Sequence, residues 1–272
     1  MTNAQNQSAT RFRAAHAPGN LIVLPNAWDV ASARIAEECG ASAIATSSAA
    51  VAWAHGYPDG EKLTKETLLA LVAGIVRVVK VPVSADSEAG FSSDPAEAAA
   101  FVSALARAGC VGVNLEDGTS PPALLAAKIE AIKTLCAREN LDVFVNARTD
   151  IYLKSLVPAE RALEETLVRG SLYRDAGADG LFVPALVDTG AMRTIADAIP
   201  LPLNVLIWPK LPAVAALKEA GVRRASAGAG TARAAYGALR RAALGMLESG
   251  SYDAMNAEAE GCPNLNALMT KE

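Results

Sequence analysis

Residues 111–118 read VGVNLEDG, an apolar run that ends abruptly in acidic side chains. The same ending recurs in VPVSADSEAG at residues 81–90 and, with an arginine, in VFVNARTD at residues 143–150. Short valine-rich runs flanked by glycine, proline or polar residues are typical of buried strands. Parallel strands assemble active sites where their carboxyl ends meet. The repeated ending therefore predicts a parallel sheet with charged side chains gathered at one edge.

Strand-like and helix-like segments alternate along the whole chain without a long linker. The eight strand-like segments lie at residues 21–26, 43–48, 82–88, 112–117, 143–150, 180–185, 202–207 and 223–228. Eight such units in 272 residues fit a closed barrel better than an open sheet. We therefore predict an α/β protein with one (β/α)8 TIM-barrel domain at residues 16–272. Residues 1–15 are polar and are expected to form a loose tail.

Composition limits the possible partners. Apolar residues make up 51% of the chain but aromatic residues only 5%, so alanine, valine, leucine and isoleucine must build the core. The 25 Lys and Arg residues are interspersed with 29 Asp and Glu residues, which argues against a nucleic-acid partner. No apolar stretch is long enough to span a membrane. The four cysteines form no C-x-x-C pair, and we expect free thiols in a cytoplasmic enzyme.

Carboxylates and one arginine are predicted to meet at the mouth of the barrel. Alternation along the third strand places Asp86 and Glu88 on one face, and Glu116 and Arg148 end the next two strands. Hard oxygen ligands without a His or Cys cluster favour Mg²⁺ or Mn²⁺ over Zn²⁺. The planar fork of Arg148 suits a carboxylate. These residues predict a divalent-metal site with an anionic organic ligand.

Other polar residues leave alternatives open. Ser47 could hold a second carboxylate or an enolate oxygen, or be only a turn hydroxyl, and it lacks a neighbouring base for nucleophilic chemistry. Asn204 lies inside the seventh strand and is a candidate substrate-binding residue. His55 is either an acid/base group or a solvated loop residue. Asp117 either pairs with Arg148 or caps the following turn.

Five motifs resemble those of the isocitrate lyase/phosphoenolpyruvate mutase superfamily, and the resemblance covers nearly the whole chain. LPNAWDVASAR is similar to the first loop and helix of that family, and ATSS to its substrate-binding loop. DSEAGF is similar to its metal motif, LED to its I-E-D motif and NART to its A-R motif. In the same order, these motifs occupy residues 24–34, 45–48, 86–91, 115–117 and 146–149.

The resemblance implies a set of metal ligands. Asp86 would bind Mg²⁺ directly or through water, while Glu88 and Glu116 would hold its water shell. Mg²⁺ would lower the energy of a pyruvate-type enolate as a Lewis acid. The resemblance also implies a homotetramer that exchanges its final helices. The long Ala- and Leu-rich last helix independently suggests contact with another subunit, in a dimer or tetramer.

The resemblance also implies a substrate site for a 2-oxo acid or dicarboxylate. Ser47, the Ser48 amide and Arg148 would hold its carboxylate and keto oxygens, next to Asp86. Asp59 matches an aspartate that lies over the site in that family. We therefore predict that Asp59, Arg148, Glu116 and Ser47 take part in catalysis.

Two departures from the family pattern bear on the reaction. The link at residues 117–121 contains no Lys, Cys or His, where lyases and mutases of the family carry a long loop with a proton donor. Pro184 stands where mutase-like members place a histidine.

The leading hypothesis is a Mg²⁺-dependent lyase that makes or breaks a C–C bond next to a 2-oxo acid, resembling oxaloacetate decarboxylase or methylisocitrate and alkylmalate lyases. One alternative is P–C bond chemistry, by a mutase or hydrolase, on a phosphonopyruvate-type substrate. The other is a non-catalytic 2-oxo-acid binding protein.

Overall fold

Eight parallel strands form the predicted (β/α)8 barrel in a computed structural model that describes residues 2–270. Each strand pairs in parallel with its neighbours in the order β1-β8-β7-β6-β5-β4-β3-β2. Between β1 and β2 the barrel closes through the bridge Ala27–Thr46, beside which the Ser47 amide donates to the Ala27 carbonyl at 3.2 Å. The strands are β1 Ile22–Leu24, β2 Ile44–Ala45, β3 Val83–Asp86, β4 Gly112–Glu116, β5 Phe144–Arg148, β6 Gly180–Val183, β7 Leu203–Leu206 and β8 Val222–Ser226.

Helices follow every strand, and local sequence signals fix several of their ends. Asp29 accepts a hydrogen bond from the Ser32 amide at 2.6 Å, and Asp94 accepts one from the Ala96 amide at 2.8 Å, as good N-caps do. A short 3₁₀ helix spans Ala159–Arg161. The α-helices are α1 Thr2–Ala15, α2 Val30–Glu38, α3 Ser48–Ala54, α4 Lys65–Val78, α5 Pro95–Arg107, α6 Pro122–Arg138, α7 Ala162–Asp175, α8 Thr189–Ala198, α9 Val214–Glu219, α10 Gly230–Glu248, α11 Asp253–Ala259 and α12 Leu265–Met269.

The expectation of a loose tail at residues 1–15 is wrong for the described part of that segment, which forms helix α1. Phe12 is fully buried, with its ring 5.4 Å from the ring of Phe144 at the start of β5. Gln5 donates hydrogen bonds to the carbonyls of Cys110 and Asp142, just before β4 and β5. Helix α1 therefore covers the amino-terminal end of the barrel, opposite the predicted site. Its few apolar residues gave no clear helical stripe.

The middle of the barrel interior is polar, while the layer between strands and helices is apolar. Asn114 and Asn146 face each other on β4 and β5, where Asn146 Nδ2 donates to Asn114 Oδ1 at 2.8 Å. Asn204 and Arg224 form the corresponding pair on β7 and β8. All four side chains are almost completely buried. We call these four residues the polar layer.

The chain beyond the barrel folds back onto α2. Arg34 Nε donates to the Leu268 carbonyl at 2.9 Å, which attaches α12 to α2. Helix α10 keeps large exposed apolar side chains, with Leu239 65% and Leu247 84% exposed. Exchange of final helices between subunits stays a prediction. Among the helices at residues 2–270, none has the length and apolar character needed to cross a membrane.

Candidate active site

A cavity of about 720 Å³ opens at the carboxyl ends of the strands. Its polar wall comes from the first five strands and the loops after them, and its apolar wall from β6, β7 and the loops after β5 and β7. The polar wall contains Asn26, Ser47, Ser48, Asp59, Asp86, Asn114 and Arg148, and the apolar wall Leu153, Phe182, Pro184, Leu206, Ile207, Trp208 and Pro209. Such a mixed pocket at the mouth of a barrel is the expected place for a small-molecule site.

Five of the eight predicted site residues line this cavity, namely Ser47, Ser48, Asp59, Asp86 and Arg148. The other three, Glu88, Glu116 and Asn204, do not line it. Asn204 lies in the polar layer, where its Oδ1 accepts from Ser226 Oγ at 3.3 Å. Since Ser226 itself lines the cavity, Asn204 is one step away from a ligand. The functional roles of all eight residues stay predictions.

Asp86 is a buried carboxylate with one free oxygen. Its Oδ2 accepts from the Ser48 amide at 3.1 Å, the first amide of α3, where the helix dipole favours negative charge. Its own amide donates to Thr46 Oγ1 at 2.8 Å, which fixes the end of β3. Its Oδ1 is buried and has no partner within residues 2–270. A buried carboxylate oxygen normally has a partner, so this atom is a strong candidate to meet a cation.

Carboxylates are crowded around Asp86. Burial and then the charge of Asp86 together raise the pKa of Glu88 to about 7, against a hydrogen bond from the Glu61 amide. Burial likewise raises the pKa of Glu116 to about 8, against the attraction of Arg148. A cation placed among these groups would relieve their mutual repulsion. The crowding therefore fits a divalent metal.

The same residues do not form a complete set of metal ligands. Across residues 2–270, no three His, Cys, Asp or Glu side chains converge as a ready-made site. Mg²⁺ commonly keeps several waters and takes only one or two carboxylates directly. The donor set therefore fits Mg²⁺ held directly by Asp86, with Glu88 and Glu116 acting through water.

The loop after β3 departs from simple strand alternation. The strand ends at Asp86, and Glu88 and Phe91 adopt left-handed backbone conformations with φ of 48° and 56°. Glu88 Oε2 accepts from the Glu61 amide at 2.6 Å, and Glu61 Oε1 accepts from the Phe91 amide at 2.6 Å. These two bonds connect the segment that carries Asp59 to the segment that carries Glu88. Strained backbone of this kind is common at functional sites.

Arg148 is held in place by two carboxylates. Its Nε donates to Asp150 Oδ1 and its Nη1 pairs with Glu116 Oε2, both at 2.7 Å. The guanidinium also lies 5.7 Å from the centre of the Phe182 ring. Lys154 Nζ completes the group at 2.8 Å from Asp150 Oδ2. Arg148 is thus oriented before any ligand arrives and still lines the cavity.

Asp117 supports the site from behind. Its Oδ2 accepts from Arg169 Nη1 at 2.9 Å and from the Tyr173 hydroxyl at 2.6 Å, and its Oδ1 accepts from the Asp150 amide at 3.0 Å. The bond from the Asp150 amide helps to fix the position of Asp150, and Asp150 in turn orients the guanidinium of Arg148. Of the alternatives left open for Asp117, neither a cap nor a pair with Arg148 describes it, because its cation is Arg169 from α7.

The candidate acid/base residue His55 does not line the cavity. Its Nδ1 contacts the Val51 carbonyl at 2.9 Å, at the end of α3. The link between β4 and α6 is as short as the sequence indicates, and its residues bring no Lys, Cys or His. Pro184 lines the cavity just after β6.

Three residues of the site region escaped the sequence analysis. Asn114 lines the cavity from β4, and alternation two residues before Glu116 could have identified it. Arg224 belongs to the polar layer but does not line the cavity, and its charge at an inward-facing position of β8 is the signal that could have identified it. Arg233 lines the cavity from the first turns of α10, and no local pattern marks it.

Comparisons with known proteins agree with this geometry. The family model described as phosphoenolpyruvate phosphomutase matches residues 12–247. The chain is 40% identical over 221 residues to an uncharacterised protein of Mycobacterium tuberculosis, covering 80% of this chain and 81% of that one. It is 31% identical over 204 residues to the 2-methylisocitrate lyase of Salmonella typhimurium, covering 71% and 67%.

Solved structures give the same picture. A Burkholderia cenocepacia protein, provisionally assigned as a phosphonomutase, superposes with a TM-score of 0.83 at 38% identity, covering 87% of this chain and 98% of that one. A 2,3-dimethylmalate lyase superposes with a TM-score of 0.82 at 25% identity, covering 96% and 94%. Named lyases among these relatives confirm the predicted enzyme class, a carbon–carbon lyase. The chain belongs to the isocitrate lyase/phosphoenolpyruvate mutase superfamily.

Proposed function

We propose that this protein is a Mg²⁺-dependent lyase that makes or breaks a C–C bond adjacent to a 2-oxo acid, through a pyruvate-type enolate. The observation that carries the proposal is the buried, unpartnered Oδ1 of Asp86 in the same cavity wall as Arg148. One group would hold a cation and the other a carboxylate. Bound at Asp86, Mg²⁺ would supply the positive charge that lowers the energy of an enolate.

The chain's own residues hold and orient the substrate. Arg148, fixed by Asp150 and Glu116, binds the carboxylate of the 2-oxo acid. Ser47, buried beside Ser48 at the start of α3, donates its hydroxyl to the keto oxygen. Prepositioned donors of this kind stabilise negative charge that develops in the transition state.

Asp59 lies exposed at the rim of the cavity and is proposed to take part in proton transfer there. Its segment is attached to the metal loop through Glu61, so it is held near the cation site.

The cavity favours decarboxylation of oxaloacetate over cleavage of a substituted malate. Decarboxylation sends the electrons of the breaking C–C bond to the keto oxygen, releases CO₂ and then needs only one proton on the enolate carbon. Cleavage of a malate also requires a base that removes a hydroxyl proton. Among the described residues that line the cavity, Asp59 is the group proposed for proton transfer, and there is no His, Cys or Lys beside it. The lining therefore meets the single protonation of decarboxylation more readily than the additional deprotonation.

A panel assay tests the proposal. Purified protein with Mg²⁺ is given oxaloacetate, 2-methylisocitrate and 2,3-dimethylmalate, with the metal-catalysed background subtracted. We expect pyruvate from oxaloacetate, and loss of that product after treatment with EDTA. No turnover of any of the three acids would contradict the proposal.

The second candidate is P–C chemistry, which the similarity to the Burkholderia protein favours. ³¹P NMR of phosphonopyruvate separates the two, because only P–C chemistry changes the bonding of phosphorus. A non-catalytic binding protein would instead bind Mg²⁺ and pyruvate in calorimetry and turn over none of the four acids.

We also propose that the protein is a cytoplasmic homo-oligomer, a dimer or a tetramer. The exposed Leu239 and Leu247 on α10 support assembly, and the buried free thiols of Cys110 and Cys136 are typical of a reducing compartment. Sedimentation of the purified chain gives its subunit number, and a monomer would refute the proposed homo-oligomer.

A further inference from the structure

Arg224 is a buried cation that has no carboxylate partner among residues 2–270. It is 1% exposed, and its closest hydrogen-bond acceptor is Asn114 Oδ1, at a long 3.4 Å from Nη2. Its Nε and Nη1 have no partner within the part of the chain that the structure describes. A guanidinium buried in this way is costly, and an apolar side chain of similar size would fold more easily. Packing alone therefore does not account for this residue.

Arg224 lies one layer beneath the cavity. On β8 the next inward-facing residue is Ser226, which lines the cavity. Asn114, which accepts from Arg224, also lines the cavity and pairs in register with Asp86 on β3. The positive charge is thus separated from the acidic end of β3 by one shared side chain.

The charge persists at neutral pH. Burial lowers the pKa of Arg224 to about 10, while the negative charge of Asp86 acts in the opposite direction. Arg224 also acts on His16, whose pKa is lowered to about 4, chiefly by burial and then by this arginine. His16 is therefore neutral at pH 7, while Arg224 keeps its positive charge.

We propose that Arg224 is a positioning residue that balances the carboxylates around Asp86, so that one cavity can accept both a cation and an anionic 2-oxo acid. Without it, the crowded carboxylates would hold a cation more tightly and repel an anion. Its charge therefore weakens cation binding and strengthens anion binding. This inference rests on the proposed function, since it assumes that both ligands meet at Asp86.

Calorimetry with Mg²⁺ alone, and with oxalate at saturating Mg²⁺, measures the two effects separately. Oxalate serves as a stable mimic of a 2-oxo acid. In Arg224→Met we expect roughly three- to tenfold tighter Mg²⁺ binding and at least about tenfold weaker oxalate binding, from the Coulomb interaction at an interior dielectric. Arg224→Lys keeps the charge, so its affinities for Mg²⁺ and for oxalate should both remain near the wild-type values. Arg224→Gln, a polar replacement without charge, repeats the test if Arg224→Met does not fold.

A purely structural role predicts a different pattern. Loss of packing would weaken the binding of both ligands together or leave both affinities unchanged, and either result would overturn the inference. Phe12→Leu, at the opposite end of the barrel, serves as a packing control that should lower the melting temperature and leave both affinities unchanged. If the wild-type protein binds neither Mg²⁺ nor oxalate, the proposed function fails together with the inference. If the wild-type protein binds both ligands, but the charge-removing variants do not change the affinities for Mg²⁺ and oxalate in opposite directions, only the inference fails.

Discussion

At the amino-terminal end of the barrel the charged side chains are paired, whereas at the carboxyl end carboxylates are crowded. Arg13 lies between Asp142 and Asp179, at 2.6 and 2.7 Å, and Lys133 pairs with Asp179 from the other side. The hydrogen bond from Arg13 lowers the pKa of Asp142. Around Asp86 the carboxyl pKa values are raised instead. The two ends show that paired charges stabilise a fold and that unbalanced charges indicate a binding site.

Neutralising Asp86 should have the largest effect at the carboxyl end of the barrel. In Asp86→Asn we expect kcat/KM to fall on the order of 10²- to 10³-fold, as when a principal electrostatic group of an active site is removed. The melting temperature should stay the same or rise, because repulsion of Glu88 and Glu116 is relieved. Steady-state kinetics and thermal unfolding measure the two effects.

Asp94→Asn is the matched control, since Asp94 is an exposed N-cap at which asparagine serves equally well. Activity of Asp86→Asn within twofold of wild type would remove Asp86 from the site.

Truncation of Phe12 tests the opposite end. Phe12→Ala should cost about 3–5 kcal/mol in the free energy of unfolding, because a fully buried ring is replaced by a cavity. Urea unfolding gives that free energy, and Mg²⁺ affinity by calorimetry should not change. An unaltered urea midpoint would mean that α1 does not contribute to the stability of the barrel.

His16 gives the amino-terminal end a pH dependence. Burial lowers its pKa to about 4, below the unfolded value of 6.5, so the folded state favours the neutral ring. Its Nδ1 donates to the Phe12 carbonyl at 2.8 Å, and its ring stacks on Phe144. The stability gained is full above about pH 6.5 and is lost as the pH falls toward 4, about 3 kcal/mol in total.

Urea unfolding at a series of pH values measures this loss. His16→Phe should show a flatter profile between pH 6.5 and 4 than wild type. Identical profiles would show that His16 is not buried in the neutral form.

The smallest effect is expected at Asp142. Asp142→Asn should cost about 1 kcal/mol, because its pair with Arg13 is partly exposed and screened by solvent. Unfolding in urea measures this change, and kcat/KM should stay at the wild-type value. A large loss of activity would mean that the two ends of the barrel are coupled.

The fold and most of the polar wall of the cavity could be predicted from the sequence. Strand alternation and the abrupt change from apolar to charged residues are local patterns, and they predicted eight units and a site at the strand ends. The caps at Asp29 and Asp94 are local too. Ser47, Asp86 and Arg148 line the cavity because each one ends or directly follows a strand.

The partners of the charged side chains, by contrast, depend on the tertiary structure. Asp117 and Glu116 are adjacent in sequence, yet Asp117 pairs with Arg169 from α7 and Glu116 with Arg148 from β5. Glu88 accepts a hydrogen bond from the Glu61 amide, and α1 is positioned by hydrogen bonds to the carbonyls just before β4 and β5. Such a pair forms when the fold brings distant segments within a few ångströms of each other. Local sequence patterns do not contain the distances between such segments, so the ion-pair partners are determined only when the barrel closes.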